Sequence, residues 1–271
     1  MFQFARKGSV EFLESTFLNQ CDSLVHAFCT RQSGVSDGHF SSLNVSAKEG
    51  DRDDKVRQNG AIIAAAFDLR ADQFFIGHQV HGDIIMRIDH ENAGSLGRHT
   101  HPCDAIITNQ PDVAIGIKTA DCVPIFLSDA SRRLIGVVHA GWRGTSLCIA
   151  AKAVAALGES FSSCPSDIVA VIGPAIGPCC YEVDDAVFSA DTQDKDWVSA
   201  FTPCVKNGKW MLDLPAANRN QLLKAGVSPE KIFSADVCTA CRKDIFFSHR
   251  AEHGKTGRQL NFMILKKDMA I

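Results

Sequence analysis

Residues 104–145 read DAIITNQPDVAIGIKTADCVPIFLSDASRRLIGVVHAGWRGT. Three apolar, β-branched runs (Ala105–Thr108, Val113–Lys118 and Val123–Leu127) and a fourth (Leu134–Val138) are separated by short polar breaks, which predicts four strands. Cys122 lies in TADCVP, where Pro124 removes a backbone donor and Asp121 favours a turn, so its thiol belongs at a bend or strand start. His139 ends the last strand. Beyond it AGWRGT leads into the alanine-rich run Ser146–Leu157, with apolar positions 147, 150/151, 154 and 157 on one face. This pattern predicts a helix with Thr145 as N-cap and Gly158 as its stop. A strand, two glycines, Arg143 and a helix start make a joint suited to an anion such as phosphate.

On the N-terminal side, Val10–Leu13 and Leu24–Cys29 read as strands and lead into the loop TRQSGVSDGHFSSLNVS. Gly34 to Gly38 matches the G-x-S-x-G string, but Ser36 lacks the strand-to-helix context of a nucleophile elbow. Arg31 opens the loop, either to swing onto a carboxylate or phosphate or to stand as a solvated surface arginine. Asp51–Phe67 has helical periodicity with three aspartates in its first turn. Phe74–Ile76 and Ile84–Ile88 are extended runs around Gly77-His78-Gln79-Val80-His81-Gly82, which puts His78 and His81 at a strand bend. His99, His101 and Cys103 read as an exposed polar loop.

C-terminal to the opening stretch, Ile168–Ile172 is a buried-strand run followed by a loop that two Gly-Pro pairs make rigid. Asp184 is placed to cap a short helix over 185–190, and Asp213 with Pro215 opens another that Gly226 closes. Cys238-Thr239-Ala240-Cys241 is a lone C-x-x-C, and no second pair stands at finger spacing.

The chain has 271 residues, enough for one large domain spanning 1–271. Lys plus Arg less Asp plus Glu is 28 − 31 = −3, which argues against nucleic acid or an anionic membrane as partner and for a small ligand. No apolar run approaches the ~18 residues of a membrane helix. The acidic residues of MFQFARKGSVEFLES do not suit a signal peptide, so a cytoplasmic location is expected. Eleven irregularly spaced cysteines read as reduced thiols, with Cys29 and the helix-face Cys148 as small buried hydrophobes.

His81, Cys122 and His139 offer two imidazoles and a thiolate at strand ends, and three protein ligands with an open fourth position describe a catalytic zinc site. Taken by spacing alone, a core thiol with two hydrogen-bonded turn histidines is the first choice. The segments QVHG, TADCVP, VHAGWRG, IGPAIGPCCYEV and FFSHR, in that order, resemble a bacterial family labelled variously multicopper polyphenol oxidase (laccase), peptidoglycan editing factor and YfiH/YlmD-like purine nucleoside phosphorylase.

That resemblance implies an α+β fold with a mixed β-sandwich core flanked by helices. It also implies zinc on His81, Cys122 and His139, phosphorolysis of adenosine, inosine and methylthioadenosine, and deamination of adenosine. The implied partners are nucleoside and phosphate, with no protein partner. Arg143, Arg31 and Arg250 are the expected phosphate seat, and Asp121 is expected either to move a proton or to form the turn beside the thiolate. Ser33 replaces a family glycine after Arg31, and His249 and Ala251 depart from the commoner FFSYRR. Three alternatives stay open: a Cu²⁺ oxidase, since His₂Cys also describes blue-copper centres; a metal-free hydrolase or amidase with Cys122 as nucleophile and His139 as base; and a metal-storage or binding module.

Overall fold

The computed structural model describes residues 1–91, 101–191, 193–204 and 208–267. In chain order its strands begin with β1 (Phe2–Lys7), β2 (Val10–Ser15), β3 (Leu24–Cys29), β4 (Phe74–Ile76) and β5 (Ile85–Ile88). Next come β6 (Ala105–Thr108), β7 (Ala114–Thr119), β8 (Val123–Asp129), β9 (Leu134–Ala140) and β10 (Val169–Ile172). The remainder are β11 (Glu182–Asp184), β12 (Phe201–Pro203), β13 (Lys209–Leu212), β14 (Ile232–Ser234) and β15 (Gln259–Leu265). The helices are α1 (Asp53–Ala66), α2 (Trp142–Ser146), α3 (Ile149–Phe161), α4 (Asp185–Phe188), α5 (Lys195–Ser199) and α6 (Leu214–Lys224).

Two six-stranded mixed sheets dominate, in the orders β1-β2-β3-β15-β7-β4 and β14-β10-β8-β9-β6-β5. Side-chain alternation explains how they stack. Phe28, Ile115, Ile117 and Met263 of the first sheet meet Ile106, Phe126, Ile135 and Val137 of the second in one core, and the rings of Phe28 and Phe126 stack at 4.1 Å across it. The alternate residues of β8 and β9, such as Ile125, Leu127 and Val138, pack on α3 and α6. On the far side Phe12, Ala27 and Phe262 receive Ile63 and Ala64 of α1. The result is the expected α+β sandwich flanked by helices.

Where the chain departs from its local signals, tertiary contacts explain the difference. The single helix expected after Thr145 is two. α2 begins at Trp142, Cys148 takes a left-handed φ of +61°, and α3 runs through Gly158 to Phe161. Thr145 sits inside α2, where its hydroxyl donates to the Gly141 carbonyl instead of capping. Cys148 is therefore a joint residue and not part of a continuous buried face. Asp51 stays outside α1 because its carboxylate accepts from the Ser36 hydroxyl (2.6 Å) and from Asn44 (2.8 Å), which gives Ser36 a structural role in the loop. β1, an edge strand with mostly exposed side chains, carried no clear alternation. His99 lies outside the described residues; Cys103 is buried against Gly77 and does not belong to an exposed loop.

His26 gives a test of this core. Its Nε2 accepts the Ser15 N–H at 2.9 Å, and burial, opposed by Glu14, lowers its pKa from 6.5 to about 4. A histidine held neutral contributes stability above the unfolded pKa and loses it as pH falls through the folded one, here across pH 6.5 to 4, a loss of about 3 kcal/mol. Denaturant midpoints measured across that window should fall. In His26→Gln, whose amide oxygen can still accept from Ser15, the slope should shrink; an unchanged slope would assign the acid sensitivity elsewhere.

Candidate functional site

The site forms at one end of the sandwich, where the segment from β4 to β5 crosses between the sheets. Cys122 immediately precedes β8, and His139 pairs with Pro124 across the β8–β9 ladder. Both are in phase with the residues of their strands that face the other sheet, so two neighbouring strands deliver thiol and imidazole to the same place. His81 comes from the crossing segment, with a φ of +59°, a conformation that costs a non-glycine residue roughly 1–3 kcal/mol unless its surroundings enforce it.

Asp104 does the enforcing. Its carboxylate is fully buried and accepts the backbone N–H groups of Val80 (3.2 Å), His81 (3.0 Å) and Gly82 (2.8 Å), and it bonds Nδ1 of His139 at 2.8 Å. One carboxylate thus fixes the turn that presents His81 and the ring orientation of His139. Burial alone would raise the Asp104 pKa, but His139 and these N–H donors bring it below the ordinary carboxylate range. Gln79 ties the same turn to β7, donating to the Lys118 carbonyl (2.7 Å) and accepting from its N–H (2.8 Å).

Possible ligand atoms of His81, Cys122 and His139 all lie within 4.8 Å of one another. With Nδ1 of His139 committed to Asp104, Nε2 remains for a metal, the arrangement usual for a ligating histidine. Burial pushes the Cys122 thiol up, yet His139 and His81 outweigh it and bring it down to about 6. Burial likewise disfavours the His139 cation, but the Cys122 thiolate and Asp104 raise its pKa to about 9. A thiolate and two oriented imidazoles with room beside them suit zinc in chemistry and number. The glycines of AGWRG make the room. A Cβ on Gly141 would stand 3.1 Å from the Cys122 sulfur, and one on Gly144 would stand 2.8 Å from the Gly82 carbonyl.

These three residues open on a cavity of about 570 Å³, a size that admits a nucleoside-sized molecule. Arg143, Arg250, Tyr181, His249, Lys48, Lys118 and Arg258 are among the residues that line it. The Arg143 guanidinium lies 4.5 Å from the Trp142 ring centroid and that of Arg250 lies 5.1 Å from Tyr181. α2 is only five residues long, so the positive charge of the pocket rests on side chains and not on a helix start.

Of the two remaining expected site residues, Asp121 lines the cavity. Asp121, at φ +91°, forms the anticipated turn, and its carboxylate accepts the hydroxyls of Thr239 (2.6 Å) and Ser248 (2.7 Å) and the Arg250 N–H (2.7 Å). It holds the segment that carries Arg250. Arg31 is absent from the cavity lining. Its guanidinium pairs with Glu252 at 3.1 Å, donates to the carbonyls of Ser41 and Lys243 at 2.8 Å each, and stacks on Phe247. Ser33 adopts φ +72°, the left-handed region where a glycine fits most easily.

Sequence reasoning did not single out Asp104, Gln79, Tyr181, Lys118 or Arg258 as site residues. For Asp104 a signal was present, an aspartate directly before a fully apolar strand.

Several known proteins share this architecture. The chain is 34% identical to the Bacillus subtilis protein named purine nucleoside phosphorylase YlmD over 248 residues, covering 90% of this chain and 89% of that one. It is 30% identical to human purine nucleoside phosphorylase LACC1 over 97% of its own length and 60% of the human protein's. The crystal structure of Bacillus licheniformis hypothetical protein YfiH matches with a TM-score of 0.88 at 34% identity, covering 97% of this chain and 99% of that one. Among the described residues no helix is long and apolar enough to cross a membrane. The description "Multi-copper polyphenol oxidoreductase laccase" matches residues 25–266, and on that match and these relatives the chain belongs to this laccase-domain family.

Proposed function

We propose that the protein is an enzyme of purine nucleoside metabolism, cleaving adenosine, inosine or methylthioadenosine with phosphate and removing the 6-amino group of adenosine. The observation that carries this reading is the meeting of His81, Cys122 and His139 with Arg143 and Arg250 on one cavity. The names of the relatives support it.

In phosphorolysis a phosphate oxygen bonds to ribose C1′ while the bond from C1′ to the purine nitrogen breaks and its electron pair leaves with the base. Phosphate is a weak nucleophile, so the protein's task is to hold it in line and in register. Arg143 and Arg250 supply planar donor forks for that purpose, each steadied by an aromatic neighbour. Asp121 acts by position, keeping the Arg250 backbone against the pocket through its N–H. Arg31 acts from further back, fastening the loop at 31–41 to the segment at 243–252.

Zinc bound by His81, Cys122 and His139 would supply Lewis acidity and a lowered water pKa, the chemistry that hydrolytic deamination requires. Asp104 fixes the His139 ring, and the turn that carries His81, for that ion. Copper is the weaker reading, because a blue-copper centre adds a weak axial methionine and no methionine lines this cavity among the described residues.

The test is adenosine incubated with the purified protein, with and without phosphate. Adenine and ribose 1-phosphate formed only with phosphate support phosphorolysis, and inosine in either case supports deamination. Neither product from metal-replete protein would end the reading. Oxygen uptake with a phenol would revive the oxidase. Arg143→Met and Arg250→Met are each expected to raise the KM for phosphate about 10- to 100-fold while changing the nucleoside KM far less, a split that steady-state kinetics reads directly.

A further inference from the structure

The C-x-x-C that stood alone in the sequence is not alone in space. The loop after β10 brings Cys179 and Cys180 to Cys238 and Cys241, and all four sulfurs lie within 4.8 Å of one another. We propose that Cys179, Cys180, Cys238 and Cys241 form a second metal site, a tetrathiolate that binds Zn²⁺ and clamps two walls of the purine cavity together.

The geometry favours a metal over a disulfide. The Cys241 sulfur stands 3.6 Å from that of Cys179 and 3.4 Å from that of Cys180. A disulfide needs about 2.05 Å. Four sulfurs placed tetrahedrally at about 2.3 Å from a zinc ion are about 3.8 Å apart, so only small shifts separate this cluster from a filled site. Two backbone donors already address the cluster: the N–H of Gly177 at 3.3 Å from the Cys238 sulfur, and the N–H of Cys241 to the same atom. Such N–H···S bonds steady a thiolate as outer contacts of a metal centre do. Binding moves no electrons. Each coordinating thiol gives its proton to solvent and its sulfur lone pair to the ion.

The position gives the site a purpose. The first cysteine pair sits between Ile176 and Tyr181, both of which line the cavity. The second pair flanks Thr239, which bonds Asp121, and begins the segment leading to His249 and Arg250. The protein already bridges the two strips through the Thr239 N–H to the Ala175 carbonyl (3.0 Å) and the Ala175 N–H to the Val237 carbonyl (3.2 Å). A dication on four sulfurs would add a cross-link at the outer end of this seam, where Cys179 and Cys241 are exposed and Cys180 and Cys238 half-buried.

The experiment uses full-length Cys122→Ser, which lacks the thiolate of the first site, so its result is independent of whether that first site holds zinc. Purified anaerobically with thiol reductant and no added metal, this variant should retain about one zinc per chain, with X-ray absorption showing four sulfur neighbours at about 2.3 Å. Adding Cys238→Ser and Cys241→Ser should remove that zinc and lower the thermal midpoint. Zinc absent from Cys122→Ser, a shell mixed with nitrogen, or iron with acid-labile sulfide would overturn the proposal. So would an intact mass in the reduced preparation that is lighter by the hydrogens of a disulfide. Should the triple variant fail to fold, the absorption spectrum of Cys122→Ser decides alone.

Discussion

Cys122→Ser is expected to fold cooperatively and to deaminate adenosine at least about a thousandfold more slowly, a loss of about 4 kcal/mol of transition-state stabilisation. The reason lies in charge as much as in shape. The two imidazoles hold the Cys122 thiol down at about 6, so near neutral pH the site contains an anion between two histidines. A serine hydroxyl fills much of the same volume but does not ionise there, so the ligand set loses its one anionic, soft member. Cys148→Ser is the matched control, since Cys148 lies at the joint between two helices and outside the cavity. A metal-free thiol hydrolase would lose activity in Cys122→Ser as well. Complete chelation of the wild-type protein separates the two, because only the thiol hydrolase would keep working. Near-normal turnover by Cys122→Ser would remove the thiolate from the mechanism.

Asp104→Ala should be the most damaging substitution outside the ligands. It strips the acceptor from three backbone N–H groups and one imidazole in a fully buried position. Leaving such donors unanswered costs about 3–5 kcal/mol of folding free energy. The function should suffer separately. With His81 free of its left-handed turn and His139 free to rotate, metal affinity should drop about 10- to 100-fold. Asp104→Asn distinguishes the two effects, because it preserves volume and one acceptor oxygen. It should recover much of the stability while still binding metal weakly, as read by chemical denaturation alongside competitive chelator titration. Wild-type values of both in Asp104→Ala would show that the turn is held by something else.

Five of the six strands of the second sheet are legible in the sequence, all but β14, because alternation and turn residues act over a few positions. Ala105–Thr108 matches at both ends, Cys122 falls directly before β8 as Asp121 and Pro124 suggest, and β9 runs one residue past His139 to Ala140. The family resemblance supplied the sandwich and the grouping of the three donors, which spacing alone left open. What escaped was decided by partners far along the chain. The sequence leaves Arg31 between a swinging ligand of carboxylate or phosphate and a solvated surface arginine, and the carboxylate that engages it, Glu252, lies 221 positions away. Asp104 gave no periodic signal because its role is to accept from a turn 22 to 24 residues earlier. Cys241 of the C-x-x-C meets partners 61 and 62 positions upstream, a separation outside any finger spacing. The break at Cys148 was invisible because an alanine-rich helical period runs straight across it.

β15 lies in the interior of the first sheet, hydrogen-bonded to β3 on one side and β7 on the other, with every residue buried. During synthesis it leaves the ribosome after every other strand among the described residues, so β3 and β7 must wait, edge exposed, for a neighbour made more than a hundred residues later. His249 and Arg250 emerge just before it. A nascent chain therefore cannot assemble this pocket before the segment through β15 has been made.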